Sequence, residues 1–84
     1  MDFQQYQEMC ARKAQIFDDP DIEISYWLTG LLQAVNNLAD ITVRHKKVFG
    51  TRILCSEIGN ALFCLSHITA FYGLDLQEIA EETI

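Results

Sequence analysis

Basic residues are scarce in this chain. Six lysines and arginines stand against twelve aspartates and glutamates, for a net charge of −6. That balance argues against general nucleic-acid binding, which depends on neutralising phosphate. No unbroken apolar run approaches the ~20 residues of a membrane span. The N-terminus lacks the charged, apolar and small-residue pattern of a signal peptide, so a cytoplasmic location is expected. Cys10, Cys55 and Cys64 are odd in number and form no C-x-x-C, which argues against a disulfide scaffold. Scattered as they are, they do not make a zinc site with His45 and His67. They read as small buried apolar residues. Strand-like alternation, internal repeats and linkers are also missing, so residues 1–84 read as a single domain. A chain this short buries a limited share of its surface and often needs a partner chain.

Half the residues are apolar, and they recur at helical spacing. Asp2 caps a first helix, with Gln5 as its capping-box partner. Phe3, Tyr6, Met9, Cys10, Ala14 and Phe17 carry that helix to about Phe17. Asp18-Asp19-Pro20-Asp21 breaks it, and Asp19 or Asp21 caps the next. The second helix is expected from about Ile24 to Lys47, on a broad apolar face that includes Trp27, Leu31, Val35 and Leu38. Gly30 inside it points to a close approach by another helix. Asn36 and Asn37 are unexpected there and would need partners if buried. Phe49-Gly50-Thr51 forms the loop, with Gly50 suited to a C-cap and Thr51 or Ser56 as the next N-cap. The third helix runs to about Tyr72, and Gly73 ends it. Asp75 caps a short fourth helix whose Leu74, Leu76, Ile79 and Ala80 pack back on the others. The fold class is all-α, about four helices with two long central antiparallel ones.

The third helix holds the most informative stretch. Glu57 and Asn60 are three apart and share a face. The run Glu57-Ile58-Gly59-Asn60-Ala61-Leu62-Phe63-Cys64-Leu65, followed by Tyr72-Gly73-Leu74-Asp75-Leu76-Gln77-Glu78-Ile79-Ala80, resembles the second half of a MazG-like domain. The opening Met1-Asp2-Phe3-Gln4-Gln5-Tyr6-Gln7 is similar to the start of one MazG-like group. MazG-like proteins are all-α nucleoside triphosphate pyrophosphohydrolases. The resemblance implies a MazG-like helical bundle completed by oligomerisation, as a homodimer or homotetramer.

It also implies a chemistry. Cleavage between the α- and β-phosphates by water needs Mg²⁺ to bridge phosphate oxygens and polarise phosphorus. Mg²⁺ prefers carboxylates and waters. The family supplies Glu-x-x-Glu on one helix and Glu-x-x-Asp on the next. Here Gly30-Leu31-Leu32-Gln33-Ala34-Val35-Asn36-Asn37-Leu38-Ala39-Asp40 matches the first segment, so its two glutamates fall at Ala34 and Asn37. The second pair falls at Glu57 and Asn60. Glu57 is kept, the other three positions depart, and Asp40 is acidic one turn from Asn37. Glu57 with Asp40 is a weak metal set, so no cofactor is expected, or Mg²⁺ if the chain is active.

Arg44, Lys46, Lys47 and Arg52 lie within nine positions. Lys46, Lys47 and Arg52 are candidates to hold a phosphate, although the plainer reading of the cluster is a solvated helix end whose cations complement the dipole. Trp27 and Phe63 suit either a nucleobase or the core. His67 reads as a core or interface histidine, and His45 as a solvent-facing one. Three functions follow. The first is a MazG-like protein without hydrolase activity, acting as a homo-oligomeric module that binds a nucleotide or a protein. The second is an active Mg-dependent NTP or dNTP pyrophosphohydrolase with a reduced ligand set. The third is a small acidic inhibitor of a host protein, carried by a phage or mobile element, that blocks a basic surface.

Overall fold

The Asp2 side chain accepts a hydrogen bond from the Gln5 backbone, and the Asp2 amide donates in return to the Gln5 side-chain oxygen. This reciprocal cap starts α1, Phe3–Arg12. In the computed structural model the described residues are 1–13, 16–45 and 51–84, with the side chains of Arg44 and His45 outside that description. Ala14, Lys46, Lys47, Phe49 and Gly50, which carried sequence expectations, also lie outside it. The remaining helices are α2, Pro20–His45; α3, Thr51–Phe71; and α4, Leu76–Glu82. Among the described residues there is no strand, as an all-α chain requires.

Two helix boundaries differ from the sequence reading. α1 stops at Arg12 rather than near Phe17, because Phe17 is used elsewhere. Its ring sits against Tyr26 and Trp27, at 5.3 and 6.1 Å between centroids, and closes one end of the α2 aromatic cluster. α2 begins at Pro20, four residues before Ile24. Proline is pre-organised for the first helical position, and Asp19 accepts from the Asp21 amide at 2.9 Å to cap the turn. Thr51 lies within the first turn of α3 rather than before it. Gly73 ends α3 as expected. Its φ of 69° is a left-handed conformation that glycine adopts without strain, and the Leu74 amide reaches back to the Thr69 carbonyl. Asp75 then caps α4 through the Gln77 and Glu78 amides.

α2 and α3 form the central pair. Asn37 meets Glu57, Gly30 meets Cys64 and Trp27 meets His67. As one index rises the other falls by the same amount, which is antiparallel packing in one register. The close approach expected at Gly30 is present, since a Cβ there would lie 2.9 Å from the Cys64 Sγ. α1 packs on α3 and α4 but not on α2. Gln7 fastens this end, with its amide N donating to the Leu74 carbonyl and its Oε1 accepting from the Leu76 amide. Of the residues expected to pack α4 inward, Leu76 is buried while Leu74 and Ile79 stay exposed, because the bundle is only one layer deep on that side.

Cys10 and Cys64 are buried and Cys55 is exposed, so only two of the three cysteines serve as core. Burial pushes the Cys64 thiol up, which keeps it protonated and unreactive. Burial and the contact with Cys10 push the Tyr6 phenol up to about 12. Asn36 and Asn37 are both exposed rather than buried. α3 is also, by length and composition, apolar enough to cross a membrane, with a mean hydropathy of 1.3, although no such run was expected. Its position between α2 on one side and α1 and α4 on the other suits the central helix of a bundle as well.

One side of the α2–α3 pair is bare. Leu28, Leu32, Val35 and Val43 recur at three- and four-residue steps, or their sums, along α2 and are exposed. Ile58, Leu65 and Tyr72 repeat every seven residues along α3 and are exposed too. Each stripe is turned in the same sense from the residues that meet the other helix, by about a third of a turn on α3 and by closer to half a turn on α2. In an antiparallel pair that brings both stripes to one side, with Val35 level with Ile58 and Leu28 level with Leu65. The chain exposes 6443 Å², where a compact monomer of 9.6 kDa exposes about 5,100 Å². Its radius of gyration is 14.2 Å, against about 12 Å for a compact chain of this length.

Candidate functional site

On the other side of the α2–α3 pair runs a groove of about 890 Å³, within the usual size of a small-molecule site. Its rim on α2 is a single ridge of residues four apart: Asp21, Ser25, Thr29, Gln33 and Asn37. The next ridge, Ile22, Tyr26, Gly30 and Ala34, forms the floor with Phe63 and Cys64. Glu57 and Asn60 of α3 form the opposite rim at one end.

The four positions aligned with the family's carboxylates come together here. Asn37 lies opposite Glu57, and by the same register Ala34 lies opposite Asn60. The Asn37 Nδ2 donates to Glu57 Oε2 at 3.4 Å, longer than a strong hydrogen bond. Glu57 is the only carboxylate of the four. Ala34 is buried at 3 % exposure and has no donor atom. Asp40 is exposed, one turn beyond Asn37, and is not among the residues lining the groove. Among the described residues no three His, Cys, Asp or Glu side chains converge on one point. Amides offer oxygen without charge, so this donor set does not fit a Mg²⁺ ion carrying a triphosphate.

The phosphate candidates do not join the groove within the described residues. Arg52 is exposed in the first turn of α3 and is not one of the lining residues. Lys46 and Lys47 fall outside the described residues. No lysine, arginine or histidine lines the groove among the described residues, and two carboxylates do.

Trp27 is not available to stack on a nucleobase. It is 5 % exposed, and one face lies on the His67 ring at 3.8 Å and 4°. Phe63 and Tyr26 meet it edge-on at 5.7 and 4.9 Å. The cluster is core: Trp27 touches the groove wall together with Tyr26 and Phe63, and those two are the more exposed rings. His67 is buried, and its Nε2 finds no partner among the described residues. Ser66 Oγ is buried in the same way. Burial pushes the His67 imidazole below its ordinary value, opposed by the Glu23 carboxylate.

A pH dependence follows from that direction. The unfolded chain takes up a proton on His67 as pH falls below about 6.5, while the folded chain resists it. Stability therefore falls with acidification below that value, and the loss ends only below the depressed folded value. Urea melts at a series of pH values check this. In the His67→Gln variant the slope between pH 6.5 and the folded value should flatten.

The ridge from Asp21 to Gln33 was not singled out from the sequence. Its signal was four oxygen-bearing side chains spaced four residues apart, in line with Asn37 and hidden by the apolar face read for the same helix. No family model matches this chain, and neither a curated protein nor a solved structure matches it.

Proposed function

We propose that this protein is a MazG-like scaffold without pyrophosphohydrolase chemistry, working as a self-associating module that binds its ligand in the α2–α3 groove. The observation that carries the reading is the meeting of Ala34, Asn37, Glu57 and Asn60 across one helix pair. Their placement on one face of the pair is what the resemblance requires and supports the reading. Their chemistry is neutral at three positions, and four unpaired carboxylates in their place would repel one another without a metal. With neutral groups the helices pack there without Mg²⁺.

Self-association is supported by the bare apolar side of α2 and α3. The seven exposed residues there include no charge. The surface in excess of a compact monomer is roughly 1,300 Å², more than the ~800 Å² that each partner gives to a stable interface. A second copy placed on that side by a two-fold axis completes a four-helix core. Copies that each carry −6 repel least where the contact carries no charge.

The carboxylate argument has a direct test. In the triple variant Ala34→Glu, Asn37→Glu, Asn60→Asp, titration calorimetry should detect Mg²⁺ binding that the parent chain lacks. Mg²⁺ binding by the parent chain, removed by Glu57→Gln, would count against the loss of the metal site.

A further inference from the structure

The groove combines features that a phosphorylated ligand does not use. Its α2 rim carries an oxygen at every fourth residue, so a rung recurs about every 6 Å along a length of about 24 Å. Of these five side chains only Asn37 has a hydrogen bond to another described side chain. A carboxylate stands at each end, Asp21 at one and Glu57, opposite Asn37, at the other. Between them the floor is apolar and aromatic, with Ile22, Tyr26 and Phe63. No cation lines the groove among the described residues, so an anionic ligand meets two carboxylates with nothing to offset them.

The acceptors are spread along a line rather than gathered at a point. A metal ion needs converging ligands, and none converge. A helix of another protein, at about 10 Å diameter and 24 Å length, would fill roughly 1,900 Å³, about twice the groove. What fits is a narrow chain whose positive charge is distributed along it.

We propose that the groove is a site for a linear aliphatic polyamine. The ligand's ammonium groups donate to the rung oxygens and to the two carboxylates. Its methylene segments lie on the floor, along the rings of Tyr26 and Phe63 that line it. A tetra-amine such as spermine spans about 16 Å when extended, within the groove's length. Ammonium groups four or five bonds apart are spaced like the rungs. The assignment rests on the reading of the groove as a binding site rather than a hydrolase centre.

The test is calorimetric titration of the intact chain with spermine, and with ATP plus Mg²⁺ in parallel, assaying pyrophosphate in the ATP samples. The expected result is one spermine per chain and no heat from ATP. Asp21→Asn with Glu57→Gln should weaken spermine about tenfold, and Tyr26→Ala should weaken it further. The control Glu8→Gln with Glu82→Gln removes the same charge away from the groove and should leave the affinity unchanged. Equal weakening by both pairs would reduce the effect to a polycation adhering to an acidic chain and overturn the proposal. So would an absence of spermine binding, which leaves the non-catalytic reading standing if no pyrophosphate appears. Pyrophosphate release would overturn that reading as well.

Discussion

Trp27→Ala should lower the melting temperature by at least about 12 °C, the largest effect expected of any single substitution here. Removing a buried Trp typically costs about 3–5 kcal/mol. A chain of 84 residues has roughly 4–13 kcal/mol of stability in total, and each kcal/mol moves the midpoint of a domain this size by about 4–8 °C. Trp27 is unusually central. It contacts Phe17 before α2, Tyr26 beside it, and Phe63 and His67 across on α3. The loss therefore falls on the α2–α3 contact itself, and aromatic pairing adds to the area lost. Trp27→Phe keeps part of the ring contact and should lose less. Thermal melts followed by far-UV circular dichroism, at one protein concentration, measure both. An alanine variant that melts like the parent would mean that the α2–α3 pair does not depend on this cluster.

Leu32→Glu combined with Leu65→Glu should convert an assembly into a monomer. Both residues lie on the uncharged side of the central pair, at 62 % and 41 % exposure, so neither substitution disturbs packing within one chain. Across a two-fold axis the variant brings four new carboxylates into a contact that excludes water, and like charges there cost several kcal/mol. Sedimentation velocity should give at least twice 9.6 kDa for the parent and the single-chain mass for the variant. Far-UV spectra should stay helical in both. A parent that already sediments at the single-chain mass would leave the apolar side without the partner assigned to it.

Local signals were read correctly because they need only neighbouring residues. The Asp2–Gln5 cap, the Gly73 stop and the Asp75 cap each depend on a few consecutive residues, and each is present. The close approach at Gly30 was legible because glycine inside a helix has few other uses. Long-range contacts were not. Phe17 fits a helical pattern with Ala14, and nothing nearby in sequence indicates that it turns to meet Tyr26 and Trp27. The stack of Trp27 on His67 joins residues forty positions apart.

For the site, the sequence pattern named Ala34, Asn37, Glu57 and Asn60, and the register of the helices brings them together. It left Trp27 open to either the core or a base, because helical spacing gives a residue's face but not what covers it, and the structure places Trp27 in the core. Cys55 was misjudged for a similar reason. Two of three cysteines are core, and composition alone cannot separate the third.

The most direct measurement is pyrophosphate release by the purified chain with Mg²⁺ and a panel of NTPs and dNTPs. No release is expected with any of them. Mg²⁺-dependent release abolished by Glu57→Gln would contradict that expectation and would make this groove a working hydrolase centre with a reduced ligand set.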